Sequence, residues 1–337
     1  MLGLSERAKP AELVVQWHAD VGDHVQDLAW SPDGELLVAA TISGPVFLYR
    51  GPDFVREIPA HRDGTNSVCW SPDGRSFATG GIDGTIRLWD TAGLALGERA
   101  AGEPWVEQVR FNHDGTLLAS AAGRTVRLWR GDELVRELKP HASTVTGVAW
   151  RPGRKQLACI GYGGVALIDP VIDEEPTLLA WKGSLLVGAW NTQGSRFAAG
   201  LQDNSVHVWQ PDTTQDWNMD GYMHKVREIA WDRSGKILAT GGSSHITCWD
   251  FHGDGPSGSQ PAVCDGHAGP LAALAYHPAD DLLASGGRDG TLVWWRRGRP
   301  THMALTGPPI SRLAWKARQP VIAVGCEDGL LGVYGRS

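Results

Sequence analysis

Short runs of Val, Ile, Leu and Trp alternate with turn residues along the whole chain, and their arrangement recurs. The stretch "CWSPDGRSFATGGIDGTIRLWD", Cys69 to Asp90, returns as "LAWSPDGELLVAATISGPVFLYR" from Leu28, "VRFNHDGTLLASAAGRTVRLWR" from Val109 and "VAWRPGRKQLACIGYGGVALID" from Val148. It returns again as "GAWNTQGSRFAAGLQDNSVHVWQ" from Gly188, "IAWDRSGKILATGGSSHITCWD" from Ile229, "LAYHPADDLLASGGRDGTLVWWR" from Leu274 and "LAWKARQPVIAVGCEDGLLGVYG" from Leu313. An aromatic closes the first run of each copy, at Trp30, Trp70, Phe111, Trp150, Trp190, Trp231, Tyr276 and Trp315, and successive spacings are 40, 41, 39, 40, 41, 45 and 39.

Each of the eight copies holds three short apolar runs, separated by turn sequences such as Pro-Asp-Gly and Gly-x-Asp-Gly, which read as strands joined by hairpins. A fourth, less regular run follows, as in "DFVREIPAH" (Asp53 to His61) and "DELVRELKPH" (Asp132 to His141). No helical period survives. Four strands at a period near forty predict an all-β protein, a β-propeller of four-stranded blades. Eight blades are preferred; the alternative is seven with one distorted copy, the fourth being weakest because Ile168 replaces its terminal Trp. Eight copies leave one fourth strand missing, and "ELVVQWH", Glu12 to His18, is expected to supply it and close the ring. Residues 1–11 are then a flexible N-terminus and 12–335 a single domain.

The repeats "DGTIRLWD" at 83 to 90, "DGH" at 265 to 267 and "SPDG" at 31 to 34 and 71 to 74 resemble the WD-repeat (WD40) family, over nearly the whole chain. The resemblance implies a hydrogen-bonded set of His, Ser or Thr, Asp and Trp within a blade. Copy two carries it as His61, Thr79, Asp83 and Trp89, and copy seven as His267, Ser285, Asp289 and Trp295. A hydrolase triad would use similar residue types, but a reactive site does not recur from blade to blade, so the sets read as scaffolding. Other copies depart from the pattern: Ala199 takes the hydroxyl position beside Asp203 and Trp209, Cys159 takes it after His141, Gly123 replaces the Asp beside Ser120 and Trp129, and Tyr334 replaces the Trp after Asp328.

The resemblance also implies partner binding on the loops around the channel mouth. Four positions before each strand-ending aromatic, that rim carries Gln26, Asn66, Glu107, Thr146, Leu186, Arg227, Ala272 and Ser311, flanked by His24, Trp105, His224, Lys225, Glu228 and Arg312. Trp105 carries the most weight, since aromatic and Arg side chains dominate interface energies.

Composition adds exclusions. A net charge of −7, without a long block of either sign, argues against nucleic acid or an anionic membrane as partner. No apolar window is long enough to span a membrane, and five scattered Cys form no disulfide framework, which suits a cytoplasmic protein. "GDGPSG", Gly253 to Gly258, matches a nucleotide-binding pattern but lacks the strand-to-helix context and reads as a surface hairpin. "WWRRGR", Trp294 to Arg299, reads as a solvated turn. Cys248 and Cys264 flank the Gly-rich hairpin and are expected to face each other, as buried thiols or as a redox or metal-binding pair. The expected function is a non-catalytic, monomeric scaffold without cofactor that binds a protein or peptide. The alternative is a metal-handling or enzymatic protein using the channel mouth, which a similarity to compact, Trp-rich bacterial WD-repeat proteins would link to a metallochaperone GTPase.

Overall fold

The computed structural model describes residues 9–138, 141–172 and 174–336. Among these every regular element is a strand. Antiparallel hairpins form where alternation predicts them, and the turns explain their sharpness. In Ser31–Gly34 the Gly34 amide donates to the Ser31 carbonyl (2.8 Å) with Gly34 at φ 77°. Ser71–Gly74 repeats this with a 2.9 Å bond and φ 70°. Only glycine enters that left-handed region without cost, so Pro-Asp-Gly fixes the hairpin register.

Eight inner strands adjoin one another around a closed ring. They are Val25–Trp30, Thr65–Trp70, Val106–Phe111, Gly147–Trp150, the second half of Thr177–Trp190, Ile229–Trp231, Leu271–Tyr276 and Ile310–Trp315, and the last lies against the first. The strands group, however, into seven sheets. The expectation of eight separate four-stranded blades is therefore corrected at the fourth and fifth copies, which share one sheet. Leu157–Ile168 runs unbroken, pairing through Leu157–Ile160 with Gly147–Trp150 and beyond Tyr162 with Thr177–Trp190. Thr177–Trp190 in turn pairs backward through its first half and forward, from Leu185, with Phe197–Leu201. Gly163, Gly164 and Gly183, all at positive φ, let these strands bend where other copies break.

The N-terminal segment closes the ring. Val14–Asp20 pairs antiparallel with Leu330–Gly335, from Val14 opposite Gly335 to Asp20 opposite Leu330. Ala11–Glu12 pairs in parallel with His302 and Met303 of the preceding sheet, and Leu13 is buried there. Residues 1–8 of the expected flexible terminus lie outside the described residues; Ala11, at its end, is in a strand.

The strand-ending aromatics do more than mark the period. Each Trp donates its indole N–H to the carbonyl just before the aromatic of the preceding copy: Trp30 to Ala314 (3.0 Å), Trp70 to Ala29 (3.1 Å) and Trp150 to Arg110 (3.0 Å). Trp190 to Ala149 (3.2 Å), Trp231 to Ala189 (3.2 Å) and Trp315 to Ala275 (2.8 Å) continue the series. Inner strands share no ladder with their neighbours, so these bonds satisfy edge carbonyls while tying adjacent copies. The series is interrupted where Phe111 and Tyr276 stand, between copies two and three and between copies six and seven.

Candidate functional site

In copy two the four implied side chains form one chain of hydrogen bonds. Trp89 Nε1 donates to Thr79 Oγ1 (3.0 Å), Thr79 Oγ1 lies 2.8 Å from His61 Nε2, and His61 Nδ1 lies 2.9 Å from Asp83. Burial keeps His61 below its ordinary pKa, hence neutral, so it donates from Nδ1 to the carboxylate and accepts the Thr79 hydroxyl at Nε2. Burial also opposes ionisation of Asp83, but hydrogen bonds from Thr85 and His61 outweigh it and hold its pKa at about 2. Arg87 adds an ion pair to Asp83 at 3.1 Å. Copy seven repeats the set: Trp295 Nε1 to Ser285 Oγ (2.7 Å), Ser285 Oγ to His267 Nε2 (2.7 Å), and His267 Nδ1 to Asp289 (3.4 Å). Thr79 and Ser285 are fully buried, so neither hydroxyl meets a substrate.

A third set escaped the sequence reading. In copy six Tyr222 takes the place of the His: its hydroxyl lies 2.7 Å from Thr240 Oγ1 and accepts the Trp249 indole N–H at 2.6 Å. The signal was present as spacing, since Tyr222 precedes Thr240 by 18 residues, as His61 precedes Thr79 and His267 precedes Ser285. Where the hydroxyl is missing the partners are orphaned. Beside Ala199 the buried Trp209 indole N–H has no partner, and beside Cys159 the same holds for His141 Nε2.

The rim positions divide into two groups. In six inner strands the pairing register shifts at the rim residue, at Gln26, Asn66, Glu107, Leu186, Ala272 and Ser311. Such a bulge re-aims one side chain out of the ladder. Asn66, Thr146 and Ser311 turn toward the next copy, bonding the carbonyls of Val106 (3.3 Å), Leu185 (3.0 Å) and Val25 (2.7 Å). Their polar groups already serve the ring. Leu186, Ala272 and Gln26 are half-buried.

The second group carries charged or aromatic side chains and is exposed only in part. Lys225, Arg227 and His224 are exposed, while His24, Glu228 and Arg312 are half-buried, Arg312 donating to the Ser311 carbonyl at 2.9 Å. Burial raises the pKa of Glu107 and of Glu228. Trp105 is 61 % exposed, at φ 64°, with its amide anchored to the Ile82 carbonyl at 3.0 Å. A bulky residue in that left-handed region is uncommon, and its indole stands exposed to solvent.

The remaining motifs find ordinary places. Gly255 of the Gly-rich hairpin lies on the Trp217 ring, where a Cβ would come within 2.7 Å, and the chain continues into a strand, Ala262–Asp265. In "WWRRGR" both Trp are buried, Arg296 pairs with Asp280 at 2.9 Å, and Arg297 forms the hairpin tip at φ 51°. Among the described residues no three His, Cys, Asp or Glu are grouped to hold a metal ion, and no helix is long and apolar enough to cross a membrane.

The family model "WD domain, G-beta repeat" matches residues 13–44, 52–90, 100–130, 217–255 and 258–296, together more than half of the chain. The chain belongs to the WD-repeat family. The longest stretch without a match, 131–216, includes the merged fourth and fifth copies, and 297–337, with the eighth copy, is also unmatched. Similar curated proteins include "Cell division cycle 20.1, cofactor of APC complex" of Arabidopsis thaliana, 25% identical over 71% of this chain and 56% of its own length. Another is "B-type cell cycle switch protein ccs52B" of Medicago truncatula, 23% identical over 81% of this chain and 49% of its own. A third, "Serine-threonine kinase receptor-associated protein" of Dictyostelium discoideum, is 22% identical over 81% of this chain and 95% of its own. The chain thus spans about half the length of the first two. Among solved structures the computationally designed Ika8 protein superposes with a TM-score of 0.81 at 18% identity, over 95% of this chain and 99% of that one, a likeness of fold alone.

Proposed function

We propose that this WD-repeat protein is a non-catalytic scaffold that binds a protein or peptide partner on the loops around the channel mouth. Each of the eight repeat copies, the fourth and fifth joined, contributes one angular position to that rim, and the hydrogen-bonded sets of copies two and seven hold their blades in shape. WD-repeat relatives are typically protein-interaction scaffolds, and relatives named as a complex cofactor and as receptor-associated fit that class. The observation that carries the reading is Trp105, a solvent-exposed indole on a left-handed, anchored backbone. An exposed Trp supplies a large contact area with only two side-chain torsions to fix. Arg227 and Lys225 add exposed positive charge for an acidic segment of the partner.

The test is affinity capture with wild type, Trp105→Ala, and the Arg227→Glu/Arg312→Glu double variant, followed by titration of the captured partner. Trp105→Ala is expected to weaken binding about tenfold or more without changing the thermal midpoint, as loss of an interface anchor does. Equal binding by all three folded proteins would place the interaction elsewhere.

A further inference from the structure

All five cysteines are free thiols, and two of them, Cys248 and Cys264, pack in one cluster. The strands His245–Asp250 and Ala262–Asp265 pair antiparallel with Cys248 opposite Ala262 and Cys264 opposite Ile246. The period of two puts both cysteines on one face as diagonal neighbours, within one packed cluster. They pack with Leu271, Leu283 and Tyr276 of copy seven, so they lie between copies six and seven.

Three features separate this pair from inert buried thiols. The contact with Cys248 favours the thiolate of Cys264, against burial and the nearby Asp265, while raising the pKa of Cys248. Ala262–Asp265 is the outermost strand of its sheet, paired on one side only, which leaves it the freer of the two strands to shift one sulfur toward the other. Finally, this seam is one of the two without an indole bond between copies, because Tyr276 stands where six other copies have a donating Trp.

We propose that Cys248 and Cys264 form an oxidation-responsive dithiol that closes to a disulfide when a hydroperoxide enters the seam between copies six and seven. The Cys264 thiolate attacks the peroxide, breaking the O–O bond, and leaves as a sulfenic acid while an alcohol or water departs. The Cys248 sulfur then attacks that sulfenic sulfur, forming the S–S bond, and the hydroxyl leaves as water with the Cys248 proton. Two thiols are oxidised by two electrons and one hydroperoxide is reduced. The product ties the outermost strand of copy six to its neighbour in the same sheet, against which copy seven packs.

The experiment treats the full chain with hydrogen peroxide, alkylates it under denaturing conditions and maps the peptides by mass spectrometry. A linked pair containing Cys248 and Cys264, lighter by two hydrogens and restored by dithiothreitol, is expected, with Cys69, Cys159 and Cys326 fully alkylated. Cys248→Ser and Cys264→Ser, which keep the side-chain size, are each expected to abolish the linked pair. Oxidation of the two thiols separately to sulfinic acids would overturn the proposal, as would full alkylation of all five at peroxide levels that already convert methionine to its sulfoxide.

Discussion

In copies two, three, six and seven a single buried hydroxyl oxygen joins side chains within the copy. Thr79, Ser285 and Thr240 each carry a buried hydroxyl that meets a partner from a preceding loop, and Ser120 accepts the Trp129 indole at 3.1 Å. Ala199 lacks that oxygen, and Trp209, 5 % exposed, is left with an orphaned N–H. Around it Trp181 stacks on His207 with ring centroids 3.7 Å apart, and His207 packs edge-on to Trp209 at 4.5 Å, so aromatic contact holds the copy instead. Ala199→Ser restores the acceptor in the geometry of Ser120 and Trp129. Supplying a partner to a buried donor relieves about 1–3 kcal/mol, against a small cost of adding one atom to a packed core. The variant is expected to show a higher thermal midpoint by calorimetry. A lower midpoint would mean that the aromatic stack leaves no room for the oxygen and that the orphaned donor is the cheaper state.

At the scale of elements, the indole bonds between inner strands set how firmly neighbouring copies hold together. Six copies have one, whereas the seams before Phe111 and Tyr276 do not, so the ring divides into two arcs of four inner strands. Trp70→Phe keeps an aromatic against Phe77, now 5.0 Å away, but removes the bond to Ala29. It is expected to cost about 1 kcal/mol in denaturant unfolding and to speed amide hydrogen exchange in Val25–Trp30 and Thr65–Trp70. Phe111→Trp is expected to slow exchange at the neighbouring seam; unchanged exchange in both variants would reduce the bonds to bystanders of packing. The strands themselves were legible in the sequence because hairpins obey local rules: alternation, Pro-Asp-Gly and a period near forty. The acceptors of the Trp donors were not, since they lie about forty residues away and are backbone carbonyls that no side-chain pattern marks. The sharing of one sheet by copies four and five was hidden for a related reason. "GYGGV" at 161–165 looks like any Gly-rich turn, and only the positive φ of Gly163 and Gly164 shows a bend within one continuous strand. A recurring position was legible as a sequence offset, but not which side chains there bond their neighbours: Asn66 and Ser311 do so from bulges that alternation does not reveal, and Thr146 does so just before its strand begins.

For the whole molecule the decisive element is the first one. Val14–Asp20 covers the edge of Leu330–Gly335 and Trp30 bonds Ala314 across the junction, so two separate contacts join the two ends of the chain, while Trp17 packs the closing strand on Tyr49 of copy one at 5.4 Å. Ala11–Glu12 and Leu13 extend the clasp to a second sheet. A ring shares its stability around the circle, because each blade buries its faces against two neighbours and an open end exposes one. Deleting residues 1–20 uncovers the edge of Leu330–Gly335 and unseats Leu13 and Trp17 while leaving Trp30 in place. The shortened protein is expected to unfold at a lower midpoint and to associate through the bared edge, read as a shift to larger species in sedimentation velocity. A synthetic peptide spanning residues 9–21, added in excess, is expected to reverse both effects by re-pairing with that edge. A shortened protein that sediments as before and keeps its midpoint would show that the indole bond and the packing of copies eight and one close the ring without the strand.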